Sequence, residues 1–185
     1  MKKVEHGKTF DRNAANPPAF EIFHNTVTEG YPEHWHTAIE IIMPTRGEYE
    51  VVVGKDSYNL KEGDIIMINS GVVHGMRFVS QGERIVMLVE PGCVENQEEM
   101  ETIFLRLPAI YFKKEDEEDP FYLFLRSQIL ELVREYDNEG AVMTHRICTG
   151  LKELFSEFGR KGFSDANAQN TFGAMKQQEY IEAVL

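Results

Sequence analysis

Between residues 19 and 90 the chain is cut into short apolar or alternating runs, and that spacing constrains the fold more than any other feature. The runs are Phe20–His24, Ala38–Met43, Glu48–Val53, Ser57–Leu60, Ile65–Ile68, His74–Ser80 and Arg84–Glu90. Between them stand Gly47, Gly54-Lys55-Asp56, Lys61-Glu62-Gly63-Asp64, Asn69-Ser70-Gly71 and Gln81-Gly82. Strands this close together leave no room for crossover helices. The pattern therefore predicts an antiparallel sandwich or barrel rather than βαβ units.

The character changes after Pro91-Gly92. Glu95–Leu107 reads as a short acidic helix stopped by Pro108. Five consecutive acids, 115–119, then lead into Pro120, which a first helical turn tolerates. Tyr122, Leu125, Ile129, Leu132 and Tyr136 recur at helical spacing and define one face. Asn138-Glu139-Gly140 ends that helix. Ile147, Leu151, Leu154 and Phe158 mark a second, closed by Gly159 and Gly162. So short a link implies an antiparallel hairpin. Phe121, Phe124, Leu130 and Val133 widen its apolar surface. A hairpin that wide must pack on the β-domain, on a second subunit, or on both.

Acids outnumber bases by 31 to 19, a net charge of −12. Such a surface repels phosphate, so the 185 residues as they stand suit neither nucleic acid nor an anionic membrane. The N-terminal stretch has lysines but no apolar segment of signal-peptide type, and no run approaches a membrane span. Two cysteines, Cys93 and Cys148, set no disulfide framework. These features predict a cytoplasmic protein. Nucleophile elbow, P-loop and dinucleotide fingerprint are all missing from the sequence.

Chemistry concentrates in GYPEHWHTAIEIIMPTRGEY and KEGDIIMINSGVVHGM. On a regular strand His34, His36, Ala38, Glu40 and Ile42 would share one face. Trp35, Thr37, Ile39, Ile41 and Met43 would share the other. Two imidazoles and a carboxylate facing inward need partners, because each unpaired buried polar group costs roughly 2–7 kcal/mol. Two His and one carboxylate make the ligand set of a facial triad, and His74 can add a third nitrogen. Such a site suits one divalent ion (Zn, Ni, Fe, Mn or Co) and keeps positions open for water or ligand. A metal-free pocket, in which the same groups hydrogen-bond an effector, is equally compatible with the residues. Arg46, before Gly47, is a candidate partner for an anionic effector at the barrel mouth.

His34-x-His36-x3-Glu40-x6-Gly47 resembles the first cupin motif, and Gly63-x5-Asn69-x-Gly71-x2-His74 resembles the second. All four metal-ligand positions match. The departures are Gly30, only four residues before His34, Asn69 in place of the usual Pro, and Phe78 where Asn is common. The resemblance implies a double-stranded β-helix, or jelly-roll barrel, over residues 19–95 with its site inside.

A cupin followed by an acidic segment, a two-helix hairpin, a polar linker and a fresh amphipathic helix also resembles the N-terminal part of AraC-type transcription regulators. HWHTAIEII resembles the opening barrel strand of that family, and QQEYIEAVL the first helix of its DNA-binding half. The resemblance implies a fold that is mainly β with appended helices. It divides the chain into an arm (1–18), an effector-binding barrel (19–95), a helical dimerisation segment (96–162) and a linker with the start of a following helix (163–185). It implies a sensor, not an enzyme, that binds a small effector of the sugar or organic-acid class at His34, His36, Glu40 and His74, with Arg46 added as a candidate contact from its position alone. It further implies a homodimer joined through Tyr122, Leu125, Ile129, Leu132 and Tyr136, with DNA bound only by a half beyond Leu185. The competing expectation is a metal-dependent cupin oxygenase or isomerase built on the same His/Glu cluster.

Overall fold

A computed structural model of the chain describes residues 19–26, 30–94, 108–114, 118–138 and 140–161. The expected arm, the helix over 95–107 and the segment 163–185 lie outside those residues. The strands are β1 Phe20–Asn25, β2 Tyr31–His34, β3 Ile39–Arg46, β4 Tyr49–Val53, β5 Asp56–Leu60, β6 Ile65–Ile68, β7 His74–Phe78, β8 Glu83–Val89 and β9 Ala109–Phe112. A 3-10 turn at Pro91–Val94 follows β8. The helices are α1 Pro120–Asp137 and α2 Met143–Lys161.

All recorded pairings are antiparallel. One sheet has the order β1-β8-β3-β6-β9 and the other β2-β7-β4-β5. Two facing sheets of this kind form the expected jelly-roll barrel, and the helical hairpin follows it. Gly47 and Gly71 stand at φ +78° and +75°, where a side chain would be strained. The turn at Gly71 also ties the two motifs together, since its N–H donates to the carbonyl of His36 at 2.9 Å.

The faces of β3 and β8 separate two cores. Ile39, Ile41, Met43, Ile85, Met87 and Val89 point outward, where they form one apolar cluster with Tyr122, Leu125, Ile129, Leu132, Ile147, Leu151, Leu154 and Phe155 of the hairpin. Ile42, Tyr49, Val51, Val53, Leu60, Ile66, Ile68 and Met76 fill the barrel interior. The hairpin is therefore docked on the outer face of the five-stranded sheet. Asp119 caps α1 by accepting the Phe121 N–H at 2.9 Å. The Tyr122 hydroxyl donates to the Gly63 carbonyl at 2.8 Å, and the Phe20 and Tyr136 rings meet edge to face.

That docking corrects the role expected for Tyr122, Leu125, Ile129, Leu132 and Tyr136. The first four are at most 2% exposed within a single chain, and Tyr136 packs against the same core. Their apolar surface is consumed by the barrel. Two further differences concern boundaries. Strand β9, four residues long, joins the barrel through β6 although it lies beyond residue 95. Helix α2 continues through Gly159 to Lys161, because one glycine costs only about 1 kcal/mol in a helix held by tertiary packing. Among the described residues no helix is long and apolar enough to cross a membrane.

Candidate metal and effector site

The expected single strand carrying both histidines and Glu40 does not exist. Strand β2 ends at His34 in the four-stranded sheet, residues 35–38 cross over, and β3 begins at Ile39 in the five-stranded sheet. The residues converge nonetheless. His34 lies opposite His74 in the β2–β7 register, and Glu40 reaches across from β3. The four ligand atoms of His34, His36, Glu40 and His74 all lie within 4.8 Å of one another. His36, Glu40 and His74 are buried, while His34 is exposed at the mouth. A Cβ at Gly30 would collide with the Met76 carbonyl, so this departure from the motif lets β2 close onto β7. Asn69, the second departure, accepts the Ser70 N–H at 2.8 Å and shapes the turn before His74.

The ring tautomers follow from the partners. His34 Nδ1 is 2.9 Å from the Pro32 carbonyl, His36 Nδ1 3.0 Å from that of Ala38, and His74 Nδ1 2.8 Å from that of Val72. A carbonyl only accepts, so each Nδ1 carries the hydrogen and each neutral ring presents an Nε2 lone pair. Two of those Nε2 atoms lie 3.0 and 2.8 Å from Glu40 Oε2, which when ionised is also an acceptor. Lone pair facing lone pair at that range is repulsive. A positive charge has to sit among them, either protons on the rings or a metal ion. Backbone carbonyls that hold Nδ1–H are the usual outer support of metal-binding imidazoles. Two ligands about 2.1 Å from one ion and at right angles to each other would be about 3.0 Å apart. The donor set therefore fits a divalent ion.

The electrostatics agree with that reading. Burial opposes ionisation of Glu40, but hydrogen bonds from His36 and His74 outweigh it and bring the carboxyl down to about 2. Burial likewise lowers His74, yet its hydrogen bond and attraction to Glu40 raise it above the ordinary value. For His34 burial wins over the Pro32 hydrogen bond, and its pKa is lowered.

Arg46 does not join the cluster. It is exposed at the far end of β3 and pairs with Glu83 at 3.2 Å, which corrects its expected place facing an effector. Trp35 is 59% exposed. A cavity of about 800 Å³, lined by Tyr58, Tyr111, Asp64 and Lys114 among others, lies against β5 and β9, away from the histidines. One residue inside the barrel was not anticipated. Arg84 has no exposed surface, and its guanidinium lies against the rings of Tyr49 and Tyr31. It alternates in phase with Val86 and Leu88 and out of phase with Ile85, Met87 and Val89, but both sets are apolar, and only the pairing with β3 shows which one faces inward.

Residues 25–90 match the family model described as the cupin domain. The chain carries a cupin domain. An apo variant of ToxT from Vibrio cholerae has a TM-score of 0.53 at 12% identity, covering 82% of this chain and 60% of that one. That likeness concerns the fold and extends past the cupin barrel into the hairpin. Wild-type ToxT with bound unsaturated fatty acid has a TM-score of 0.48 at 12% identity, over 88% of this chain and 64% of that one. A variant of Bacillus subtilis oxalate decarboxylase scores 0.36 at 18% identity, over 39% of this chain and 21% of that one. The chain thus spans less than two thirds of each of these proteins. No curated protein matches the sequence.

Proposed function

We propose that the chain is the effector-sensing part of an AraC-type transcription regulator, with the cupin barrel as receptor and the helical hairpin as the element that responds. The observation that carries this reading is the back-to-back arrangement on β3. Glu40 faces the histidines inside the barrel, while Ile39 and Ile41 are packed in the cluster that holds the hairpin. A change of occupancy at the cluster thereby acts on the strand that seats the helices. The fold likeness to ToxT, an AraC-type regulator, supports the reading because it covers barrel and hairpin together.

In this account His34, His36, Glu40 and His74 hold one divalent ion. The ion would supply positive charge and open positions for an oxygen-bearing effector. The chain's own residues do the remaining work. The carbonyls of Pro32, Ala38 and Val72 keep the ring nitrogens aimed at the centre, and exposed His34 leaves the mouth accessible. To act as a switch, the effector must favour one hairpin arrangement by a few kcal/mol. Self-association belongs to the same reading and must use surface outside the buried stripe of α1. The protein acts in the cytoplasm, and DNA is bound by a part beyond Leu185.

The donor set itself favours a second reading, a metal-dependent cupin enzyme of the oxygenase or isomerase class. Reading the coding sequence past Leu185 separates the two. The sensor requires a basic segment with two helix-turn-helix patterns. A stop codon there, together with turnover of a small substrate by the metal-loaded protein, would establish the enzyme instead. Sedimentation at tens of micromolar tests self-association, and a strictly monomeric profile would remove it from the account.

A further inference from the structure

Among the described residues two buried ionisable side chains lie outside the cupin site, Asp64 and Arg84. Asp64 accepts from the Lys61 and Lys114 N–H groups and the Tyr111 hydroxyl, whereas Arg84 has no such partners. Arg84 stands on β8 opposite Asn25 of β1 and Pro44 of β3, on the inward face of the sheet. It has no exposed surface, and Nε, Nη1 and Nη2 all lack a hydrogen-bond partner among the described residues. The hydroxyl of Tyr49, equally buried, lacks one as well. The guanidinium carbon lies 4.8 Å from the centre of the Tyr49 ring, so these unpartnered donors are neighbours. Aromatic faces moderate a cation but satisfy none of its N–H groups. A guanidinium without a counter-charge in a closed interior is strongly unfavourable, which marks the position as made for an anion.

We propose that Arg84 and Tyr49 form a carboxylate-binding subsite inside the barrel, and that the ligand is a small organic monocarboxylate with an apolar body. The fork of N–H groups matches the two oxygens of a carboxylate, and the Tyr49 hydroxyl adds a further donor to their lone pairs. One cation calls for a monoanion. A phosphate dianion would bring a second charge that no described residue here balances. The body is apolar because Ile42, Val51 and Met76 occupy the barrel beside the pair. Entry is past Tyr31. Its ring lies 5.7 Å from the guanidinium carbon and is itself 43% exposed. The subsite is distinct from the histidine cluster. Arg84 is four strand positions from Glu40 in the β3–β8 register, about 13 Å along the barrel. It deepens the effector-binding reading by naming the ligand class, and it rests on that reading only for its biological role.

The test is thermal melting and calorimetric titration of the whole chain with sodium hexanoate, hexanamide, sodium chloride and inorganic phosphate at matched ionic strength. Saturable binding and a rise in melting temperature are expected for hexanoate alone. Tyr49→Phe keeps the ring and should weaken hexanoate binding about tenfold, the worth of one hydrogen bond to a charged group. Arg84→Lys should weaken it further, and Arg84→Met should abolish it. Should Arg84→Met fail to fold, the first two variants decide. Equal response to chloride or phosphate would overturn the carboxylate assignment. So would the absence of any hexanoate effect, with Arg84→Met at least as stable as the parent. A carboxylate of the chain itself as the partner would show as loss of stability in Arg84→Met with no response of the parent to hexanoate, and that too would overturn the ligand proposal. Hexanoate binding in a gene product that lacks a DNA-binding half would leave this subsite standing and remove only the regulator reading.

Discussion

His74 and Glu40 meet at 2.8 Å from strands of opposite sheets, and the far side of the His74 ring is pinned at 2.8 Å to the Val72 carbonyl. The contact closes the barrel at its chemical end and forces a positive charge into it. The stability of the protein should therefore depend on pH in a defined way.

In chelator-treated protein, Glu40 has a folded pKa of about 2 against an ordinary value of 4.5. A depressed carboxyl contributes stability that is present above 4.5 and lost as pH falls toward 2. The size is about 3 kcal/mol. His74 is raised above 6.5, so its contribution is full below 6.5 and disappears as pH rises through the folded value. His34 is lowered and works against folding once pH falls below 6.5. Denaturant midpoints across pH should peak between 4.5 and 6.5. A midpoint that keeps rising from pH 6 to 9 without metal would show that Glu40 and His74 do not share a proton.

Docking of the hairpin should be visible in a single substitution. Leu125 has no exposed surface and packs between α1 and the sheet. Leu125→Ala should cost about 2–5 kcal/mol. Arg126→Ala, on the exposed side of the same helix, should change stability by less than about 0.5 kcal/mol. Barrel and hairpin should unfold in one transition. Equal effects of the two substitutions in urea titrations would mean that the hairpin is not seated on the sheet.

The thiols offer a second probe of the same interface. Cys93, after β8, lies with its sulfur 3.7 Å from that of Cys148 on α2. Burial raises the Cys93 pKa, and its S–H donating to the Cys148 sulfur raises it further, to about 12. With so little thiolate at pH 8, Cys93 should react with an aromatic disulfide reagent far more slowly than a free thiol, and reach the free rate on unfolding. Prompt reaction of both thiols in folded protein would contradict the packing of α2 on the turn after β8.

Much of this fold could be read from local pattern. Every one of the seven apolar runs became a strand, because Gly47, Gly63 and Gly71 mark turns whose backbone, at positive φ, admits little else. Four converging ligands were also legible, though the route to them was not. Alternation over 34–42 assumes one strand. Nothing local in Trp35-His36-Thr37-Ala38 signals that the chain leaves one sheet for the other there. Strand β9 escaped for a related reason, since four residues carry no period and its pairing with β6 spans about forty positions. The stripe on α1 was read as an apolar face, with the β-domain and a second subunit both open as its cover and dimerisation as its expected role. Periodicity tells which face is covered and not what covers it. Arg84 was hidden in the opposite sense, as one cation among apolar residues whose inward phase appears only once the register with β3 is known.

Metal content bears most directly on the central claim, that His34, His36, Glu40 and His74 form one cation site. The measurement is elemental analysis of the chain purified without chelator and then equilibrated with zinc, nickel or manganese, beside the His36→Ala variant. The account predicts close to one divalent ion per chain in the parent, and loss of that ion in His36→Ala with an unchanged far-ultraviolet spectrum. A parent protein that takes up no ion, or a variant that retains as much as the parent, would contradict it.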